Sequence, residues 1–288
     1  MSIPKIASYT PPQANEFTNK VSWTFQPQQA ALLIHDMQEY FVRFYGDNNP
    51  LIEQVISKIA QLRAQLKAQG VKIIYTAQPE HQSLDERGLL NDMWGPGINK
   101  SPEQQAIVAA LAPADDDIVL TKWRYSAFVR SELEDILKSQ GIDQLAIVGI
   151  YANIGCMISA NDAFMRDIKP FMLADCVADF NQQEHIKALE FVSGRCGFVC
   201  DSQSILNNVA SDATDPLLTL AGLQQNIADM LEMPAEELPI DDNLLDYGLD
   251  SIQVMQLIEK WQALGVNLTF QQLGLNPTIQ AWFALLNK

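Results

Sequence analysis

Asp36 stands at the end of the apolar run AALLIHD, Lys122 at the end of DIVLTK, and the stretch GIYANIGCM holds Gly155 and Cys156. A carboxylate close to a lysine makes a proton-transfer pair, and a thiol at a strand-to-helix turn makes a nucleophile. Taken singly, Asp36 reads as a turn or N-cap aspartate. The turn poses a chemical question, because glycine occupies position 155, where such a turn usually presents its nucleophile, and the cysteine comes one place late. If the segment after the turn is helical, each residue is rotated by about 100° from the last, so Cys156 points away from the site. A hydroxyl with its own context lies further on, at Ser251 in GLDSI. An Asp-Ser pair before an apolar-periodic run otherwise reads as an ordinary helix N-cap.

These residues need elements to bring them together. Strand-like runs (AALLIHD, VKIIYTA, DIVLTK, QLAIVGI, KPFMLAD) alternate with helix-like ones (residues 50–69, SELEDILKSQ, SANDAFMRD, EHIKALEFVSG). That rhythm predicts an α/β fold, a parallel sheet with helices on both faces. In residues 50–69, Ile52, Val55, Ile56, Ile59, Leu62 and Leu66 form one apolar stripe, and Gly70 follows as a stop. Ligands of such sheets bind outside the carboxyl ends of the strands, so Asp36, Lys122 and the turn at 149–157 are expected to converge.

The last quarter is a different object. From Asp212 onward, eleven acidic residues face two lysines, a net of −9, leaving −7 of the total −16 for the preceding 211 residues. Residues 209–216 read as a linker, dividing a domain over 1–208 from a small helical bundle over 217–288. The acidic balance argues against nucleic acid as a partner. No apolar run approaches the roughly 20 residues that span a bilayer, and the N-terminus has no apolar signal region, so no membrane association and a cytoplasmic protein are expected. Four cysteines without paired C-x-x-C spacing read as reduced, mostly buried thiols, and three scattered histidines make no metal centre. No metal is expected.

The motifs LLIHDMQ, YTAQP, LLNDMWGPG, KWRYSAF, GIYANIGCM and DAFMRDIKPF together resemble the isochorismatase-like hydrolases, over about residues 21–204. The resemblance implies a triad of aspartate, lysine and cysteine on three strand ends. The cysteine hydrolases of that family carry their thiol at the position of Gly155, and the true isochorismatases lack it. It therefore implies that Asp36, Lys122 and Gly155 form the catalytic set, with Asp36 as general acid toward the vinyl carbon of isochorismate. The implied products are pyruvate and 2,3-dihydro-2,3-dihydroxybenzoate. Ether cleavage of this kind needs water and no thiolate, and a glycine lets the substrate approach the backbone N–H groups of the following helix. Gln78, Arg87, Trp94 and Tyr151 match family positions lining the substrate pocket, and the family geometry implies a cis peptide between Ile150 and Tyr151. A homo-oligomer is implied as well.

Residues 217–288 resemble acyl and aryl carrier proteins through Gly248-Leu249-Asp250-Ser251-Ile252. That resemblance implies 4′-phosphopantetheine attached covalently to Ser251. The fusion implies an aryl carrier for 2,3-dihydroxybenzoate in catechol siderophore synthesis. Its partners would be a phosphopantetheinyl transferase, a 2,3-dihydroxybenzoate-AMP ligase and the condensation domain of a nonribosomal peptide synthetase. Two other readings compete: a scaffold whose large domain is not catalytic, and a cysteine amidase of the nicotinamidase type. The second lacks both a thiol at 155 and that group's metal-site histidines.

Overall fold

A strand buried on both faces has no place for alternating polar residues, and AALLIH is such a strand. In the computed structural model, which describes residues 3–212 and 216–286, all six residues of β1 (Ala30–His35) are buried. Among the described residues β1 is joined by β2 (Lys72–Ala77), β3 (Ile118–Thr121), β4 (Gln144–Ile150), β5 (Lys169–Ala178) and β6 (Phe198–Cys200). They form one parallel sheet in the order β3-β2-β1-β4-β5-β6.

Period-two alternation sends successive side chains to opposite faces. Leu32 and Ile34 join a core with Val55, Ile59, Leu62 and Leu66 of the helix Pro50–Ala68. Ala31 and Leu33 join the opposite core, which is covered by the helices Leu133–Ser139, Met157–Phe164 and Gln182–Phe191. The helix Pro50–Ala68 starts where the Asn49 side chain accepts a hydrogen bond from the Leu51 N–H at 3.1 Å, and it stops before Gly70 at φ +80°. Of its expected stripe only Ile56 is less than buried, at the flank.

The strand order reverses at β1: β2 and β3 lie to one side, β4 to β6 to the other. A crevice opens at such a switch point, beyond the carboxyl ends of β1 and β4. Asp36 follows β1 directly, and Tyr151 follows β4.

Three features depart from the sequence expectation. Strand β6 has only three residues, too short for a periodic pattern to show. The chain after β4 makes a wide turn over Ala152–Cys156, with the Cys156 N–H donating to the Tyr151 carbonyl five residues back at 3.3 Å, before regular helix begins at Met157. The helix Ser202–Asp212 runs into the expected linker, whose residues 213–215 lie outside those described.

The chain divides into two compact units, Met1–Val209 and Ala210–Lys288. Among its described residues the second has helices and no strand: Leu220–Met230, Ser251–Ala263, Phe270–Gly274 and Ile279–Leu286 are its α-helices. Its own core centres on Trp261 and Trp282, packed edge to face with ring centroids 6.2 Å apart. Among the described residues no helix is long and apolar enough to cross a membrane.

Candidate active site

Asp36 adopts a left-handed backbone conformation, φ +49°, that few non-glycine residues take. Its neighbours hold it there. The Asp36 N–H donates to the Thr76 carbonyl at 3.3 Å and to Thr76 Oγ1 at 3.2 Å, while the Thr76 hydroxyl donates to Asp36 Oδ1 at 2.7 Å. Lys122, just past β3, donates from Nζ to Asp36 Oδ2 at 3.0 Å, and both side chains are buried. The two residues singled out in the sequence therefore form one ion pair. Burial pushes the Asp36 pKa up, but His35, Lys122 and the hydrogen bonds from Thr76 and Lys122 outweigh it, and the carboxyl sits below its ordinary value. His35 is itself held down to about 4, chiefly by burial, so at neutral pH the opposing cation is Lys122.

The turn after β4 corrects the reading of Gly155. A Cβ at that position would lie 1.9 Å from His35 Cε1, so the space that glycine frees is filled by the His35 imidazole, not left for a substrate. Three of the turn's amides are already engaged. The Ile154 and Cys156 N–H groups donate to the Tyr151 carbonyl at 3.1 and 3.3 Å, and the Asn153 N–H donates to the Asp179 carboxylate. Asp179 already caps the positive end that was expected to receive a substrate anion. Burial lifts its pKa to about 6 despite the amide bonds from Asn153 and Phe180. Cys156 lies in the core on the other face of the sheet, fully buried, with its thiol pKa pushed well up by burial.

The structure brings the residues expected to line a pocket together, with changed detail. Gln78, Arg87, Trp94, Tyr151 and Gly155 all line the crevice that holds Asp36 and Lys122. The Ile150-Tyr151 peptide is cis. Tyr151 is less available than expected, since its hydroxyl donates to the Phe41 carbonyl at 3.0 Å. Trp94 donates from Nε1 to the Tyr125 hydroxyl at 2.8 Å and packs against Phe180, 6.0 Å between centroids, so it walls the crevice through fixed contacts. Arg87 is buried, with Nε donating to the Gly95 carbonyl at 2.5 Å, yet its Nη1 has no partner. Gly97 gives it room, because a Cβ there would come within 2.2 Å of Arg87 Nη2.

Sequence reasoning missed His35, Thr76 and Arg124. Thr76 sits directly across from His35 in the β1–β2 register, and Arg124 follows Lys122 by two and also lines the crevice. Charge at strand ends would have found Arg124; His35 shows itself only once β1 and the turn are adjacent.

In the second unit, Ser251 is exposed at the first position of its helix, preceded by Gly248 at φ +95°. The Asp250 carboxylate accepts from the Ile252 and Gln253 N–H groups, both at 2.8 Å, and Gln253 accepts from the Asp250 N–H at 2.9 Å. The helix end is thus satisfied by Asp250. A phosphodiester on Ser251 would gain less from those amides than its position suggested, but an exposed hydroxyl on a fixed turn fits a long covalent arm.

A six-stranded parallel sheet with a buried Asp-Lys pair at its switch point, and a turn whose cysteine does not line the crevice, defines a class. The chain belongs to the isochorismatase family: residues 30–204 match the pattern described as Isochorismatase domain, and residues 221–286 match Phosphopantetheine attachment site. Among particular relatives, it is 51% identical to Enterobactin synthase component B of Escherichia coli (strain K12), covering 100% of this chain and 99% of that one. It is 42% identical to Isochorismatase of Bacillus subtilis (strain 168), covering 99% and 96%. The fold recurs in a cysteine hydrolase from Pseudomonas syringae pv. phaseolicola 1448A, with TM-score 0.60 and 20% identity over 66% of this chain and 97% of that one.

Proposed function

We propose that the first unit hydrolyses the enolpyruvyl ether of isochorismate and that the second carries an aryl acid for siderophore assembly. One observation supports the first half most directly. In a chain of net charge −16, the crevice is lined by Arg87, Lys122 and Arg124 against a single acid, Asp36. Such a site suits a substrate with two carboxylates. The unpartnered Nη1 of buried Arg87 is a donor waiting for one of them.

Asp36 then delivers a proton to the vinyl methylene, turning it into a methyl group. Water adds to the resulting oxocarbenium carbon, and collapse of the hemiketal breaks the ether bond, releasing pyruvate and 2,3-dihydro-2,3-dihydroxybenzoate. Lys122 keeps Asp36 ionised in the free site. Bound carboxylates offset that cation and raise the Asp36 pKa, so the acid is charged with its proton in the complex.

In the second unit Ser251 is the proposed attachment point for phosphopantetheine. That group supplies a terminal thiol able to hold an acyl or aryl acid. The partners are then a phosphopantetheinyl transferase, a 2,3-dihydroxybenzoate-AMP ligase and a nonribosomal peptide synthetase condensation domain. The sequence competitor, a cysteine amidase, has no thiol in the crevice on which to act.

Isochorismate mixed with the full chain should release pyruvate, read through lactate dehydrogenase. Coenzyme A and a phosphopantetheinyl transferase should add one arm by intact mass, and Ser251→Ala should abolish that gain while leaving pyruvate release unchanged. No pyruvate, or an arm on the Ser251→Ala protein, overturns the respective half.

A further inference from the structure

Two glycines, Gly149 within β4 and Gly155 in the turn after it, press against one residue from different sides. A Cβ on Gly149 would meet the His35 carbonyl oxygen at 2.2 Å, and a Cβ on Gly155 would meet His35 Cε1, Nε2 and Nδ1 at 1.9, 2.5 and 2.8 Å. Non-bonded carbons rest about 3.5–4.0 Å apart, so neither side chain fits beside His35 as it stands. Gly149 also needs glycine for its φ of +111°; at Gly155 no such backbone demand exists, and the imidazole is the obstacle.

His35 has little freedom to yield. It is 1% exposed, and its backbone is paired between Thr76 and Gly149 in the middle of the sheet. Its Nδ1 lies 2.9 Å from the Ile150 carbonyl. Its Nε2 lies 3.4 Å from the Tyr125 carbonyl; carbonyls only accept, and the shorter contact puts the proton of the neutral ring on Nδ1 and fixes the ring's orientation. The same Nδ1 is 3.7 Å from Asp36 Oδ2. A side chain at 155 would therefore emerge in the volume beside the acid that the imidazole now fills.

We infer that His35 is a positioning residue coupled to Gly155: its ring takes the place of a side chain on the turn, keeps a protein nucleophile away from Asp36 and Lys122, and leaves water to attack. The coupling is steric and stands on the fold; only its last clause rests on the hydrolytic reading.

Four full-length variants test it: Gly155→Ala, His35→Ala, and His35→Ala combined with Gly155→Ala or with Gly155→Cys. Gly155→Ala should lower the melting temperature of the large unit and cut pyruvate release by about tenfold or more. His35→Ala should lower the melting temperature of the wild type but raise that of Gly155→Ala, a reversal of sign that two independent structural residues do not show. If Gly155→Ala yields no folded protein, recovery of folded material in the double variant is the same positive result, and failure to recover it counts against the coupling. In the variant combining His35→Ala with Gly155→Cys, iodoacetamide should form the S–C bond, with loss of iodide and release of the thiol proton to solvent, about tenfold faster at the introduced thiol than at Cys156. The inference is overturned if Gly155→Ala matches the wild type in stability and activity, if His35→Ala fails to rescue it, or if the introduced thiol is labelled no faster than Cys156. Should the wild type release no pyruvate, the hydrolytic reading fails, while the melting temperatures still decide the coupling.

Discussion

Asp36 is ionised when the crevice holds no substrate, because the Lys122 ammonium stands 3.0 Å away, yet the proposed ether cleavage needs it protonated. An asparagine keeps the shape and the hydrogen bond from Thr76 but has no acidic proton to give. Asp36→Asn should therefore lower turnover by roughly 10²- to 10⁴-fold with the melting temperature of the large unit retained. A purified, folded variant releasing pyruvate near the wild-type rate would remove Asp36 from the role. Cys156 stands for the opposite case. Its thiol faces the core with Ala160 and Ala163 and does not line the crevice, so Cys156→Ala should cost stability by about 1 kcal/mol in urea unfolding and leave pyruvate release near wild type. Loss of activity without unfolding would return the thiol to the mechanism.

At the scale of elements, the small unit depends on how the helix Ser251–Ala263 begins. Asp250 accepts two amide N–H groups there and Gln253 returns a bond to the Asp250 amide, a reciprocal cap. Asp250→Ala should destabilise the small unit by about 1 kcal/mol, seen as a lower urea midpoint for its transition, with the large unit unmoved. An unchanged midpoint would mean the cap contributes nothing. Five strands were legible in the sequence as apolar runs, and the helix Pro50–Ala68 because it is long enough to show its period. Strand β6 and the five-residue helix Phe270–Gly274 fall below that length. The meeting of Asp36 and Lys122 was legible too, since strand ends in a parallel sheet share one edge. The packing of His35 against Gly155 was not, because residues 120 positions apart in the chain reveal a clash only when the strand register and the wide turn bring them together. The turn itself resembles ordinary helix in its apolar pattern, which is why its amides were expected to be free.

Across the whole large unit, acid acts on buried groups in opposing directions. His35 and His185 are both held down to about 4 by burial, below the unfolded value of 6.5, so the unfolded chain takes up their protons first and stability is lost as pH falls from 6.5 toward 4. Asp179, raised to about 6 from 3.8, favours the folded state as pH falls through the same range. The two histidines oppose Asp179, and Asp36, held below its ordinary value, adds to the loss as pH falls further. The melting temperature of the large unit should be lower at pH 4.5 than at pH 7 by calorimetry; a higher value at pH 4.5 would show that Asp179 outweighs both histidines. The two units have separate cores. One chain nevertheless makes both. On the proposed reading, every translated molecule supplies one hydrolytic crevice and one carrier serine, a ratio that promoter strength, messenger decay and degradation of whole chains leave untouched. A strain expressing Asp36→Asn would keep its full complement of carriers, and a second protein offering only the crevice would be enough to complement it.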